Sequence, residues 1–159
     1  MRRKDREVTD REAIRAILDK AKVLHLAMID NGRPYVVPLH YGYTLDDDRL
    51  TLYLHSAKEG RKLDVLRKND RVAFVLETDV SLISGGELAC KYGSAYASVM
   101  GEGKAVFLTD PAEKAAGLRI LMCAQTGRDF IITEVMTESV TVLRVDVETY
   151  TAKSRPLTH

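Results

Sequence analysis

Between residues 23 and 43, two runs of alternating side chains flank the tripeptide Asp30-Asn31-Gly32. Asn and Gly tolerate positive φ, so the tripeptide favours a tight reversal, and a reversal between two period-two runs is a β-hairpin. Val23 to Ile29 forms the first arm. In the second, Arg33 to Tyr43, the residues Tyr35, Val37, Leu39, Tyr41 and Tyr43 share one face. Val36, Pro38, His40 and Gly42 share the other. Pro34 and Pro38 cannot donate to a ladder, so this strand is expected at an edge, at a bulge or lining a site.

Further strands follow the same period. Leu50, Leu52 and Leu54 oppose Thr51, Tyr53 and His55, and Arg71 to Thr78 reads as another strand. Ser94 to Leu108 is a long strand in which Gly101 and Gly103 predict a bulge or bend. Ser139 to Tyr150 is the last. Residues 79–93 carry no firm pattern beyond a loop at Gly85-Gly86. Three helices punctuate the strands. Thr9 and Glu12 have capping-box spacing ahead of an apolar stripe of Ile14, Ile17, Leu18 and Ala21. Ser56 and Glu59 repeat that spacing before a helix to about Lys68, with Leu63 and Leu66 inward. Asp110-Pro111 opens the third helix and Gln125-Thr126-Gly127 closes it. The order α-β-β-β-α-β-β-α-β predicts a mainly β chain with helices (β or α+β). Its sheet is expected to be antiparallel and closed, or nearly closed, into a barrel. At 159 residues, against about 100–200 per domain, residues 1–159 are expected to form one domain.

Charge and composition exclude several functions. Lys plus Arg number 24 and Asp plus Glu 23, a net charge of +1, which argues against a dedicated nucleic-acid binder. No apolar run reaches the roughly 18 residues of a membrane span. Cys90 and Cys123 lack metal-ligand spacing and are too few for a disulfide framework. The charged start of the chain has no apolar segment behind it, so no signal peptide is expected and the chain reads as cytoplasmic.

The segment His55-Ser-Ala-Lys-Glu-Gly-Arg-Lys62 carries the clearest chemistry. A strand ends, a turn of small residues follows, and a helix opens beside Arg61 and Lys62. Helix N-termini present free N–H groups and partial positive charge, Arg adds bidentate bonds and Lys a point charge, so this is a candidate phosphate site. From Lys58 to Arg71 there are six positive side chains against three negative. A solvated helix face accounts for such a run equally well, and the glycine pattern of a P-loop is missing. The neighbouring strand Val36 to Tyr41 is apolar on both faces and suits a flat heteroaromatic ligand, although a buried barrel strand has the same composition. His40 and His55 fall on neighbouring strands, His25 reads as a packed or surface residue, and His159 is terminal. Nothing resembles a zinc motif or a nucleophile elbow.

In order and spacing, Gly32-Arg-Pro-Tyr-Val-Val-Pro-Leu-His-Tyr-Gly-Tyr43, Leu52-Tyr-Leu-His-Ser-Ala-Lys-Glu-Gly-Arg-Lys62, Lys68-Asn-Asp-Arg-Val72 and Ser98-Val-Met-Gly-Glu-Gly-Lys-Ala105 resemble one family. Together with Met1-Arg-Arg-Lys-Asp-Arg-Glu7 they are similar to the pyridoxamine 5′-phosphate oxidase-like flavin-binding split barrels. Among these, the nitroimidazole-resistance (Nim-type) proteins are the nearest in pattern. The resemblance implies a six-stranded antiparallel split β-barrel with flanking helices, a homodimer, and FMN at the subunit interface, with FAD as the other flavin it admits. Carried over by position, Arg61 and Lys62 hold the flavin phosphate with Ser56 nearby. Val36, Val37, Pro38, Leu39, His40 and Tyr41 run along the ring and ribityl chain, and Leu54 and His55 lie beneath it. Ser98 reaches the flavin from the partner subunit. His40 is the candidate catalytic residue. Pyridoxamine phosphate oxidases close with an Arg- and Trp-containing segment, whereas this chain has no tryptophan, so vitamin-B6 oxidation is not expected. The implied activity is transfer of electrons from NAD(P)H to a small nitroaromatic-type electrophile. A flavin storage or sensing module, a haem-binding relative and a deazaflavin-dependent reductase are the rivals.

Overall fold

The computed structural model describes residues 3–157; Met1, Arg2, Thr158 and the terminal His159 lie outside the described residues. Seven strands are present: β1 (Glu7–Val8), β2 (Val23–Asp30), β3 (Arg33–Asp46), β4 (Arg49–Ser56), β5 (Arg71–Ile83), β6 (Gly93–Leu108) and β7 (Thr141–Arg155). Three helices accompany them: α1 (Arg11–Lys20), α2 (Arg61–Lys68) and α3 (Pro111–Thr126). All pairings are antiparallel, in the order β1-β7-β4-β3-β2-β5-β6, and a further β6–β7 ladder closes strands β2 to β7 into a ring of six. This is the split barrel with flanking helices. The two-residue β1, too short for a periodic signal, is appended to β7 through Glu7 and Val8.

Alternation builds the interior. Leu24, Leu26 and Met28 of β2, Leu50, Leu52 and Leu54 of β4, Phe74 and Leu76 of β5, and Leu143 and Val145 of β7 are all buried. α1 adds Ile14, Ile17 and Leu18, and α2 adds Leu63, Val65 and Leu66. The β2–β3 reversal has the backbone its residues require, with φ of 49° at Asn31 and 80° at Gly32.

Local expectations are corrected at four places. The cap of α1 is Asp10, whose carboxylate accepts from the Ala13 amide at 2.8 Å. A charged acceptor one residue nearer the helix displaces Thr9, and Glu12 turns to Arg15 instead. Ser56 does not cap α2. The β4–β7 ladder holds it opposite Thr141, so four residues intervene and α2 starts after Gly60, with no side-chain cap. β5 continues to Ile83, past a register shift between Thr78 and Ser81. With β6 it forms a hairpin over residues 79–93, where exposure on both faces had erased the alternation. β7 continues to Arg155 because β6 supplies a partner along that length. The predicted irregularity of β6 is present, with the register against β7 shifting between Glu102 and Gly103.

Candidate functional site

β3 changes neighbours half-way along. Residues 33–40 pair with β2, whereas Tyr41 to Asp46 pair with β4. The first half is therefore a local edge, which is where Pro34 and Pro38 cost no ladder bond. Val36 is 52% exposed, and Pro38 and His40 are exposed beside it, while Val37 and Leu39 turn half-buried toward the core. Tyr41 is inside the protein, its hydroxyl donating to the Leu18 carbonyl at 2.7 Å. Burial also pushes that phenol far up in pKa, and the side chain is closed to a ligand.

β4 runs alongside and delivers Leu54, His55 and Ser56 to the end from which α2 departs. Leu54 is fully buried. His55 is held below the usual imidazole pKa by partial burial, then by His40 and Lys62 nearby. Its ring is thereby kept neutral at physiological pH. Among the described residues the buried Ser56 Oγ has no hydrogen-bond partner, an arrangement that costs about 1–3 kcal/mol unless a ligand or water supplies one. The start of α2, next in the chain, brings Arg61 and Lys62 to the same end.

Arg61 is already oriented. Its Nε and Nη2 both lie 2.9 Å from Asp30 Oδ2, and its guanidinium stacks on the Tyr35 ring with 4.3 Å to the centroid. The hairpin turn thus fixes one edge of the guanidinium, and the other has no partner among the described residues. Lys62 makes no ion pair among the described residues. Neither Asp30 nor Tyr35 stands out in the sequence, because one reads as turn chemistry and the other as core alternation.

The structure brings residues 36–41, 54–56 and 61–62 together. It does not bring Ser98 to them. Ser98, on β6, pairs with Glu77 of β5 and Lys153 of β7, and the order β3-β2-β5-β6 places it three strands from β3, on the opposite side of the ring.

Between them lies a feature the alternation had hidden. A concavity of about 480 Å³ crosses the outer sheet face and is lined by His25, Val36, Val75, Met100, Tyr150 and neighbours. The face is apolar, with Val23, Ile29, Val36 and Met100 between 36% and 52% exposed. Reading outward positions across strands, rather than along one, would have revealed it.

A model of the pyridoxamine 5′-phosphate oxidase family matches residues 10–154. The chain belongs to that family. A candidate 5-nitroimidazole antibiotic resistance protein of Bacteroides thetaiotaomicron is 32% identical with a TM-score of 0.77, the match covering 92% of this chain and 85% of that one. The flavocytochrome Anf3 of Azotobacter vinelandii has 23% identity and a TM-score of 0.78 over 98% of this chain and 72% of its own. An FAD and haem binding protein of Mycobacterium smegmatis has 17% identity and a TM-score of 0.79 over 97% and 76%. At these lower identities the last two show the shared fold. No curated protein matches the chain at a significant level. No described helix is long and apolar enough to cross a membrane.

Proposed function

We propose that the protein is an FMN-dependent oxidoreductase that works as a homodimer and passes electrons from NAD(P)H to a small, nitroaromatic-type electrophile. The observation that carries the flavin assignment is the orphaned Ser56 hydroxyl at the strand end that leads into α2. Beside the first turn of α2 and two cations it completes a donor set for a phosphate ester. Arg61, held by Asp30, offers its free guanidinium edge, and Lys62 supplies the uncompensated charge. The unpaired edge of β3, from Val36 to His40, offers backbone groups to the ring and ribityl chain. Tyr41 contributes main chain only, and Leu54 forms the floor. His40 contacts the ring or the substrate, and neutral His55 lies beside it. The apolar outer face is where a second copy docks, bringing its Ser98 to the site. When bound, the flavin supplies the electron transfer; the chain binds it, orients it and keeps water from its ring.

The likeness to the Bacteroides protein supports the acceptor class, and FAD remains within the chemistry of the phosphate site. One observation favours a second reading: His25 lines an apolar concavity, the setting of a haem ligand. The absorption spectrum of the purified protein, with identification of the chromophore released on denaturation, decides between them. Released FMN followed by NADH or NADPH oxidation dependent on a nitroaromatic supports the enzyme. Flavin without turnover indicates storage or sensing. A Soret band on haem addition, with no uptake of FMN, overturns the proposal. In the flavoprotein, Arg61→Ala with Lys62→Ala weakens FMN binding by about two to four orders of magnitude, from about 1.5–3 kcal/mol per charge-assisted bond lost.

A further inference from the structure

We infer that Gln125, in the last turn of α3, positions His40 and selects its Nδ1-protonated tautomer, so that a ligand meets a bare Nε2. The His40 Nδ1 lies 3.0 Å from the Lys22 carbonyl oxygen. A carbonyl only accepts, so in the neutral ring Nδ1 carries the hydrogen and Nε2 the lone pair. Among the described residues Nε2 has no hydrogen-bond partner.

Lys22 belongs to the short link between α1 and β2, outside the ladder that begins with Val23 opposite His40. Lys22 itself has no ladder partner to hold its carbonyl. α3 orients it. The Gln125 amide donates to the Lys22 carbonyl at 3.2 Å and to the Tyr41 carbonyl at 2.7 Å. Lys22 Nζ returns a bond to the Ala124 carbonyl at 2.7 Å. The two carbonyls that Gln125 bridges flank His40: Tyr41 follows it in β3, and Lys22 lies beyond its ladder partner. Both amide hydrogens are thereby used, which a shorter or apolar side chain cannot reproduce. The reach exists because α3 approaches β3 backbone to backbone at Gly42, where a Cβ would stand 2.5 Å from the Leu121 Cα.

The consequence for recognition is a polarity. Whatever ligand atom faces His40 in its neutral form is a hydrogen-bond donor, an N–H or O–H, and not a carbonyl or nitro oxygen. This last step rests on the site proposed above; the tautomer itself does not.

The test is long-range ¹H–¹⁵N correlation NMR on histidine-labelled, flavin-free protein at about pH 8, where imidazoles are neutral, with His40 assigned by His40→Gln. The expected result is a dominant Nδ1–H ring in the wild-type protein. In Gln125→Met, similar in length but without the donors, the tautomer ratio shifts about fivefold or more toward Nε2–H, the effect of one hydrogen bond. If Gln125→Met does not fold, Lys22→Met cuts the opposing tether while keeping the carbonyl, and the same shift is expected. An Nε2–H ring in the wild type, or a ratio unchanged in a folded variant, overturns the inference. Because the signal is read without flavin, an Nδ1–H ring in a protein that never binds flavin retires the cofactor proposal alone. A yellow protein with an Nε2–H ring retires this one alone.

Discussion

Replacing Ser56 by alanine removes a buried hydroxyl that has no partner among the described residues, and the sign of the effect depends on the ligand. Without flavin, Ser56→Ala relieves an unpaid desolvation cost and leaves stability unchanged or raised by up to about 1–3 kcal/mol. With flavin bound, the same change deletes a hydrogen bond to phosphate, so the stabilisation conferred by FMN shrinks. Thermal unfolding of both proteins with and without FMN measures the two signs; equal destabilisation in both states would assign Ser56 a purely structural role. His55 gives a second prediction at this scale. Its folded-state pKa is lowered from the ordinary value of 6.5 by burial, His40 and Lys62. Below 6.5 the unfolded chain takes up the proton first, so this group's contribution to stability is complete above 6.5 and is lost as pH falls through the folded value. His55→Gln removes that component. Melting temperature followed downward from neutral pH should therefore fall less steeply in the variant, and parallel curves would show that His55 is not the group responsible.

Among the elements, α3 and β3 form the pair on which the site depends. Gly42 permits the close approach, and the Leu121 backbone occupies the space a side chain would need. Gly42→Ala is expected to cost about 1–3 kcal/mol through overpacking and to lift α3 from β3, which also draws Gln125 away from the Lys22 and Tyr41 carbonyls. Chemical denaturation gives the first effect and the His40 tautomer the second. A variant as stable as wild type with His40 unmoved would mean that α3 slides without consequence. The hairpin turn between β2 and β3 has a comparable double role. Its backbone makes the reversal, and Asp30 at its start holds Arg61 at 2.9 Å.

For the whole molecule, the outer face formed by β2, β3, β5, β6 and β7 is both an apolar concavity and the route by which a second copy would complete the site. Met100 sits on this face at 45% exposure, in register with Val75 and Thr151. Met100→Glu places a charge at the proposed contact, where burial without a partner costs several kcal/mol. The expected outcome is a folded monomer by sedimentation that no longer retains flavin, although its phosphate residues are intact. A monomeric wild type, or a monomeric variant that binds FMN normally, would separate flavin binding from dimerisation.

The sequence by itself determined six of the seven described strands, the faces of their alternating stretches and their order along the chain. Alternation and turn chemistry are local, and an inward-facing leucine every second residue leaves few ways to bury them except in a closed sheet. It also marked Arg61 and Lys62, because a helix start beside two cations is a contiguous signal. Only the tertiary structure decided the rest. Ser56 has the spacing of a cap, and spacing along the chain cannot show that a ladder partner, Thr141, holds it in β4. Asp30 and Arg61 are thirty-one residues apart, and Gln125 and Tyr41 eighty-four. Such contacts leave no periodic trace, since they arise when separate elements meet. The apolar outer face stayed hidden for the same reason: each strand contributes one or two residues that look like ordinary surface, and a patch exists only once five strands lie side by side.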